Sequence, residues 1–219
     1  MFEVSEYLDL DHTLAADLFD NLRYPWEVLP KIGDFISKVG PSLDPDVYEY
    51  KGDNIWIARS AQVFESAYIA PNVIIGPDTQ VRHCAFIRGN ALIGANAVVG
   101  NSTELKNVIL FDNVQVPHYN YIGDSVLGHY AHMGAGSITS NVKSDKTLVV
   151  VKYGAGEIET GLKKFGAIVG DHVEIGCGSV LNPGSVVGRN SRIYPLSSVR
   201  GVIPADSVYK KAGEIAKIS

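Results

Sequence analysis

IARSAQVFESAYIAPNVIIGPDTQVRHCAFIRGNALIGANAVVGNSTELK, residues 57–106, decides the fold. Stepping by six from Ile57 gives Val63, Ile69, Ile75, Val81, Ile87, Ile93, Val99 and Leu105, all aliphatic. Four residues after each stand Ala61, Ala67, Val73, Thr79, Ala85, Ala91, Ala97, Thr103 and Ile109, nearly all small. After Lys164 the frame returns as Val169, Ile175, Leu181, Val187, Ile193 and Val199, with Val173, Ser179, Ser185, Ser191 and Ser197 as partners and Ile203 last. Neither a helical period of about 3.6 nor a strand alternation of 2 produces this pattern. A period of six does follow if each hexapeptide is one short strand plus a corner. Three such strands close a triangular coil, and coils stack at the interstrand spacing of about 4.8 Å. The sequence therefore predicts a mainly β protein, a parallel β-helix of hexapeptide repeats from about Asn54 to Pro204.

Outside the repeats the pattern changes. Asp11-His12-Thr13 is placed to cap a helix carrying Leu14, Leu18, Phe19 and Leu22 on one face. A second helix is expected after Pro25, burying Trp26, Val28, Leu29, Ile32 and Phe35 and ending at Gly40-Pro41. Residues 206–218 read as a short C-terminal helix. The expected division is a helical segment over 1–45, the β-helix over 46–204 and the terminal helix over 205–219. The helices are expected to cover an open end of the solenoid, where strand edges would lie bare. Within the β-helix the register slips between Leu105 and Leu110, and the repeat stops over about 140–164. That insertion contains the β-branched run Leu148 to Val151, which suits a hairpin.

Composition limits the partners. The chain has 219 residues and a formal net charge of −5, with a pI near 5.6, so nucleic-acid phosphate is not expected as a partner. No run reaches the roughly 18 apolar residues of a membrane span. The acidic start MFEVSEYLDLDHTLAAD is no signal peptide, and a cytoplasmic location is expected. The only two cysteines, Cys84 and Cys177, have no paired spacing, and each is expected to pack as a small residue in the wall.

Some residues break the repeat. The position after the inward aliphatic is small at Ala58, Ala70, Gly76, Gly94 and Gly100, but it is Arg82, Arg88 and Lys106 elsewhere. Arg88 and Lys106 are 18 residues apart, so adjacent coils place one cation over the other about 5 Å away. Such a stack suits an anionic ligand, a phosphate above all. It equally suits a solvated edge neutralised by Glu104 or Asp124. Val116-Pro117-His118-Tyr119-Asn120-Tyr121 holds an imidazole able to act as a general base near neutral pH. His83, His129 and His132 also invite a zinc reading, although the His-x-x-His spacing of His129 and His132 is narrower than a three-histidine hexapeptide site needs.

At these residues the sequence resembles a known family. From about Arg88 to Arg200 it is similar to the acetyltransferase domain of the bifunctional N-acetylglucosamine-1-phosphate uridylyltransferase / glucosamine-1-phosphate acetyltransferases. The archaeal sugar-phosphate nucleotidylyltransferase/acetyltransferases are closer still. VGNSTELKN (Val99 to Asn107), HYNYIGD (His118 to Asp124), GAGSITSN (Gly134 to Asn141) and KFGAIVGDHVEIG (Lys164 to Gly176) carry the likeness. The resemblance implies a left-handed coil and a homotrimer with sites between subunits. It also implies acetyl-CoA as co-substrate and an amino-sugar phosphate or nucleotide amino sugar as acceptor. His118 would be the general base, with Arg88 and Lys106 holding the sugar phosphate. Tyr121, Asn141, His132 and Lys146 would meet the sugar, and Ala135, Cys177 and Pro195 would meet acetyl-CoA. His132 stands where the bacterial family has asparagine, Cys177 where it often has serine, and the gap from Asn141 to Lys146 is one residue shorter. No metal is expected for the transfer. No glycine-rich nucleotide loop precedes the repeats, so no uridylyltransferase activity is expected of this sequence. Two other readings remain: a non-catalytic module that keeps the sugar-phosphate site, and a zinc hydratase of the same fold.

Overall fold

The computed structural model describes residues 2–211 and 214–217. The repeats close into a parallel β-helix with three flat faces. Face I begins with Ile55–Ala58, Val73–Ile75 and Ala91–Ile93 and ends with Val202–Ile203. Face II runs from Gln62–Val63 through Gln115–His118 to Arg192–Ile193, and face III from Tyr68–Ile69 to Ser198–Val199. The register confirms the slip read from the sequence, since Leu110 pairs with both Ile93 and Leu127. In the two shortened coils, Glu104–Leu110 and Tyr121–Leu127 run unbroken from face III into face I.

From the second coil onward nearly every corner uses a residue in the left-handed region, which costs least for glycine, asparagine and aspartate. The corner from face III to face I uses Asn54, Asn72, Asn90, Asn107 and Asp124, and the corner from face I to face II uses Asp78, Asn96, Asn113 and Asn190 among others. At the first of these corners the side chains hydrogen-bond up the stack. Asn72 Nδ2 donates to Asn90 Oδ1 at 2.6 Å, and Asn54 Nδ2 donates to Asn72 Oδ1. Inside, Ile75, Val81, Ile87, Ile93, Val99 and Leu105 are fully buried, as the repeat predicts. Burying each is worth about 1.5–3 kcal/mol.

Face I is apolar on its outer side as well. Ile74, Leu92, Ile109, Val126, Ile168 and Val186 alternate with the inward residues, yet all are fully buried. The N-terminal segment covers this stripe, a correction to the expectation that it caps an open end. Trp26, Val28, Leu29, Ile32 and Ile36 are buried there, and Trp26 packs on Phe165 at 5.7 Å. The first coil is covered only on face I, where Tyr48–Tyr50 pairs antiparallel with Ile55–Ala58; on face II Val63 is left 38% exposed. The expected first helix is replaced by 3-10 turns at Leu10–His12 and Ala16–Phe19, because Asp9 and Thr13 side chains take backbone N–H groups of Asp11 and Ala15. After Pro25 the chain is 3-10 as far as Lys31, and α1 spans Ile32–Val39. Pro30 interrupts the run, since it has no N–H to donate.

The 140–164 insertion forms the expected hairpin, Val150–Tyr153 with Gly156–Glu159. It folds onto the later coils of face I, where Val149 and Val151 are buried. The C-terminal helix is not found. Ser207–Lys211 and Glu214–Lys217 are antiparallel strands, and the remaining positions of the expected helix lie outside the described residues. Tyr209 pairs with Ile193 and is buried like an inward aliphatic, so the open sheet edge outcompetes a weak helical pattern. The two cysteines are also corrected: both are free and exposed at the corner from face II to face III, not packed in the wall.

The N-terminal segment is fastened by a polar cluster. His12 and His129 stack with ring centroids 3.6 Å apart. Asp171 accepts from the backbone N–H groups of Asp9 and His129, each at 2.8 Å, and from Arg189. Burial, and next the neighbouring His12, hold the His129 imidazole below its ordinary value of 6.5. The folded state therefore binds that proton less readily than the unfolded chain, and the stability is present above about pH 6.5 and lost as pH falls through it. The wild-type melting temperature should fall between pH 7.5 and 5.5 more steeply than that of His129→Gln. Parallel curves for the two proteins would remove this role for the stacked pair.

Candidate functional site

From the second coil onward the chain also turns from face II to face III through a left-handed residue, but here the sequence does not use asparagine. Cys84, Ser102, Tyr119 and Leu196 adopt φ of 58°, 53°, 51° and 58°, with Gly136 and Gly178 at 69° and 67°. Tyrosine and leucine are poor choices for that conformation. Both are exposed, Tyr119 at 65% and Leu196 at 85%. Strain and exposed apolar surface on the edge that also carries His118 point to function.

Backbone hydrogen bonds stack this corner coil upon coil. Tyr119 N donates to Asn101 O, Gly136 N to His118 O, Gly178 N to Ala135 O and Leu196 N to Cys177 O, each at 2.9 Å. His118, Ala135, Cys177 and Pro195 therefore occupy one column about 4.8 Å apart per coil. The structure brings these four expected residues together. The floor between Tyr119 and Leu196 is narrow because Ala135, Gly136, Cys177 and Gly178 are small; Leu196 leans over Gly178, where a Cβ would lie 2.8 Å from its Cδ2.

His118 ends its strand with an exposed imidazole. Two residues not singled out from the sequence set its backbone. Asn120 is buried, accepts the His118 N–H at 3.0 Å and donates to Gly134 O at 2.9 Å and Ser137 O at 3.1 Å, joining two coils. Gly100 lies under Pro117, and a Cβ there would sit 1.6 Å from the Pro117 carbonyl oxygen. The repeat showed that a small residue was needed at position 100; that its removal would displace His118 is visible only in three dimensions.

Tyr121, Arg88 and Lys106 stand on the adjoining face III, and Asn141 follows at its far corner. Arg88 and Lys106 are aligned as the 18-residue spacing predicts, and each has a carboxylate partner. Arg88 Nη1 meets Glu104 Oε1 at 2.8 Å. Lys106 Nζ meets Asp124 Oδ1 at 2.7 Å and Oδ2 at 3.0 Å. The buried Asp124 carboxylate also accepts from Asn107 Nδ2 at 3.0 Å and Asn141 Nδ2 at 2.5 Å. Asn141 Nδ2 donates to Tyr121 Oη at 3.2 Å, so the phenol keeps its own O–H to offer outward. Burial raises the Tyr121 phenol above its ordinary 10.0, and it stays protonated at neutral pH.

Two expected residues fall elsewhere. His132 is on face II, its Nδ1 2.7 Å from Glu174 Oε2, and does not join Tyr121 and Asn141 within the chain. Lys146 sits in the insertion with φ of 60°; Lys143 and Lys152 are the lysines that line the cleft between the insertion and the coils. Among the described residues, no group of three or more His, Cys, Asp or Glu side chains is placed to hold a metal, and no helix is long and apolar enough to cross a membrane.

No protein-family model matches the chain. Bifunctional protein GlmU of Methanococcus maripaludis is 38% identical over 200 residues, 88% of this chain and 47% of that protein. The bifunctional sugar-1-phosphate nucleotidylyltransferase/acetyltransferase of Sulfurisphaera tokodaii is 35% identical over 97 residues, 44% of this chain and 24% of that protein. The chain thus spans about half or less of the curated relatives it matches. Among solved structures, a hexapeptide transferase family protein from Anaplasma phagocytophilum gives a TM-score of 0.43 at 14% identity, over 80% of this chain and 86% of that one. By sequence and by its repeat architecture, the chain is homologous to the acetyltransferase part of the bifunctional GlmU proteins.

Proposed function

We propose that the chain is an acetyl-CoA-dependent N-acetyltransferase for an amino-sugar phosphate or a nucleotide amino sugar. The observation that carries this reading is the single column of His118, Ala135, Cys177 and Pro195 beside a face bearing Arg88, Lys106 and Tyr121. The acceptor amine attacks the thioester carbonyl, forming the C–N bond. His118 takes the amine proton. The C–S bond then breaks, and the leaving thiolate is protonated by the imidazolium. A backbone N–H at Ala135 would stabilise the oxyanion in between. No covalent enzyme intermediate is required.

The acceptor phosphate would bind beside Arg88 and Lys106, which Glu104 and Asp124 hold in place in its absence. The outward O–H of Tyr121 would donate to the sugar. A homotrimer belongs to the same proposal, because a neighbouring subunit would enclose a corner that is open on one chain. Light scattering should give a mass of three chains; a monomer would overturn that part.

The test is thiol release from acetyl-CoA with glucosamine-1-phosphate near pH 7.5. His118→Ala should lower kcat by about 10²–10⁴-fold without lowering the melting temperature. Turnover that survives in the variant removes His118 as the base. Absence of wild-type turnover with both glucosamine-1-phosphate and a panel of nucleotide amino sugars favours the non-catalytic binding module, a reading supported by the matched charges of Arg88 and Lys106.

Gly100→Ala probes how finely the base is placed. It should displace Pro117 and His118 and reduce kcat by about 10²-fold, the loss that a misplacement of roughly 1 Å produces. An unchanged kcat in a folded variant would show that the close approach at Gly100 does not position the base.

A further inference from the structure

The column that holds Arg88 and Lys106 does not stop there. Continuing coil by coil along the same edge of face III, the position after the inward residue is Gly123, Ser140, Asn182 and finally Arg200. Arg200 is the structural equivalent of Arg88 and Lys106, but its charge is not matched. Among the described residues neither Arg200 nor Lys152 takes part in an ion pair, whereas Arg88 and Lys106 both do.

Arg200 lines a cleft of about 610 Å³ between the inserted hairpin and the coils, together with Ser140, Asn182, Lys143 and Lys152. Two glycines with left-handed backbone fix its walls. A Cβ at Gly184 would lie 2.7 Å from Val150 O, and one at Gly201 2.5 Å from Lys152 O, so the hairpin backbone is seated directly on the coil corners. The cleft is therefore preformed, and it lies within the size range of small-molecule sites, far larger than one phosphate needs. The acids in it are Asp145, which pairs with Lys143 at 3.4 Å and accepts from Thr147, and Glu157, the cross-strand neighbour of Lys152. An arginine fork with a nearby lysine suits the adjacent oxygens of a diphosphate.

We propose that this cleft binds the diphosphate of a nucleotide through Arg200 and Lys152. Two nucleotides present in the proposed reaction carry that chemistry: the phosphorylated adenosine head of coenzyme A, and the nucleotide of a nucleotide-sugar acceptor. The inference rests on the proposed function only for that choice, because binding is measured without turnover.

Calorimetric titration of the full chain with 3′-phosphoadenosine 5′-diphosphate, the head of coenzyme A, and, separately, with UDP tests it. At least one should bind with a Kd below about 1 mM at low salt and weaken as salt rises. The Arg200→Gln/Lys152→Gln variant should weaken binding at least about tenfold at an unchanged melting temperature. Binding of 3′-phosphoadenosine 5′-diphosphate alone assigns the cleft to the donor, and of UDP alone to the acceptor. Glu157→Gln, which removes an acid from the cleft, should tighten binding and keeps the test open if the double variant does not fold. Failure of both nucleotides to bind, or binding indifferent to the double variant or weakened by Glu157→Gln, overturns the assignment. Acetyl transfer that persists in that case leaves the proposed function standing.

Discussion

From the second coil onward the chain turns nearly every corner through the left-handed region, and the rest of the molecule depends on how that requirement is met. At two corners the chain supplies mainly asparagine and aspartate, with Tyr130 and His172 as exceptions at one and glycine in the late coils of the other; the asparagines tolerate the conformation and bond to one another up the stack. Those corners contribute regularity. At the third, the same geometry is imposed on cysteine, serine, tyrosine and leucine. A repeat that could have used asparagine throughout carries chemically varied residues along one edge, and that edge holds His118.

The stacking that makes the core also fixes the electrostatics. Residues at equivalent positions recur at one strand spacing, about 4.8 Å, so any charge placed in the repeat meets its counterpart in the next coil. Arg88 over Lys106 would be repulsive alone. The structure interleaves Glu104 and Asp124, and the buried Asp124 serves a lysine and two asparagines at once. An anionic ligand arriving there exchanges partners with carboxylates already present. The face is thus prepared for phosphate and stable without it. Arg200, at the far end of the same column, has no such carboxylate among the described residues, which is why the two ends of one stripe differ in what they offer a ligand.

The outer side of face I explains the two irregular segments together. A parallel sheet that is apolar on both sides must be covered twice. The interior is covered by the other faces. The outside is covered by the N-terminal segment over the earlier coils and by the inserted hairpin over the later ones, and the two meet where Phe2 packs edge-on against Tyr153 at 5.5 Å. The insertion is accordingly part of the wall, and the cleft beneath it is a consequence of where it docks.

The repeat, its register slip, the hairpin in the insertion and the alignment of Arg88 with Lys106 were all decided by sequence alone, because a fixed spacing of inward aliphatics leaves one way to stack them. The resemblance to the bifunctional GlmU proteins likewise rested on short motifs in order. Where the N-terminal segment lies was also written in Val73-Ile74-Ile75 and Ala91-Leu92-Ile93, strands apolar at every position, but that signal looks the same whether the cover is a helix, a loop or another chain. The strands after Asp206 replaced a helix because an open sheet edge nearby offered Tyr209 a partner, a long-range term that local propensity does not contain. Only the tertiary structure decided that His132 faces Glu174 and not Tyr121, that Asn120 and Gly100 hold His118, and that Arg200 stands unpaired beside Lys152. Each of those depends on distances between residues in different coils, and the repeat fixes which coil a residue occupies without fixing what its side chain meets there.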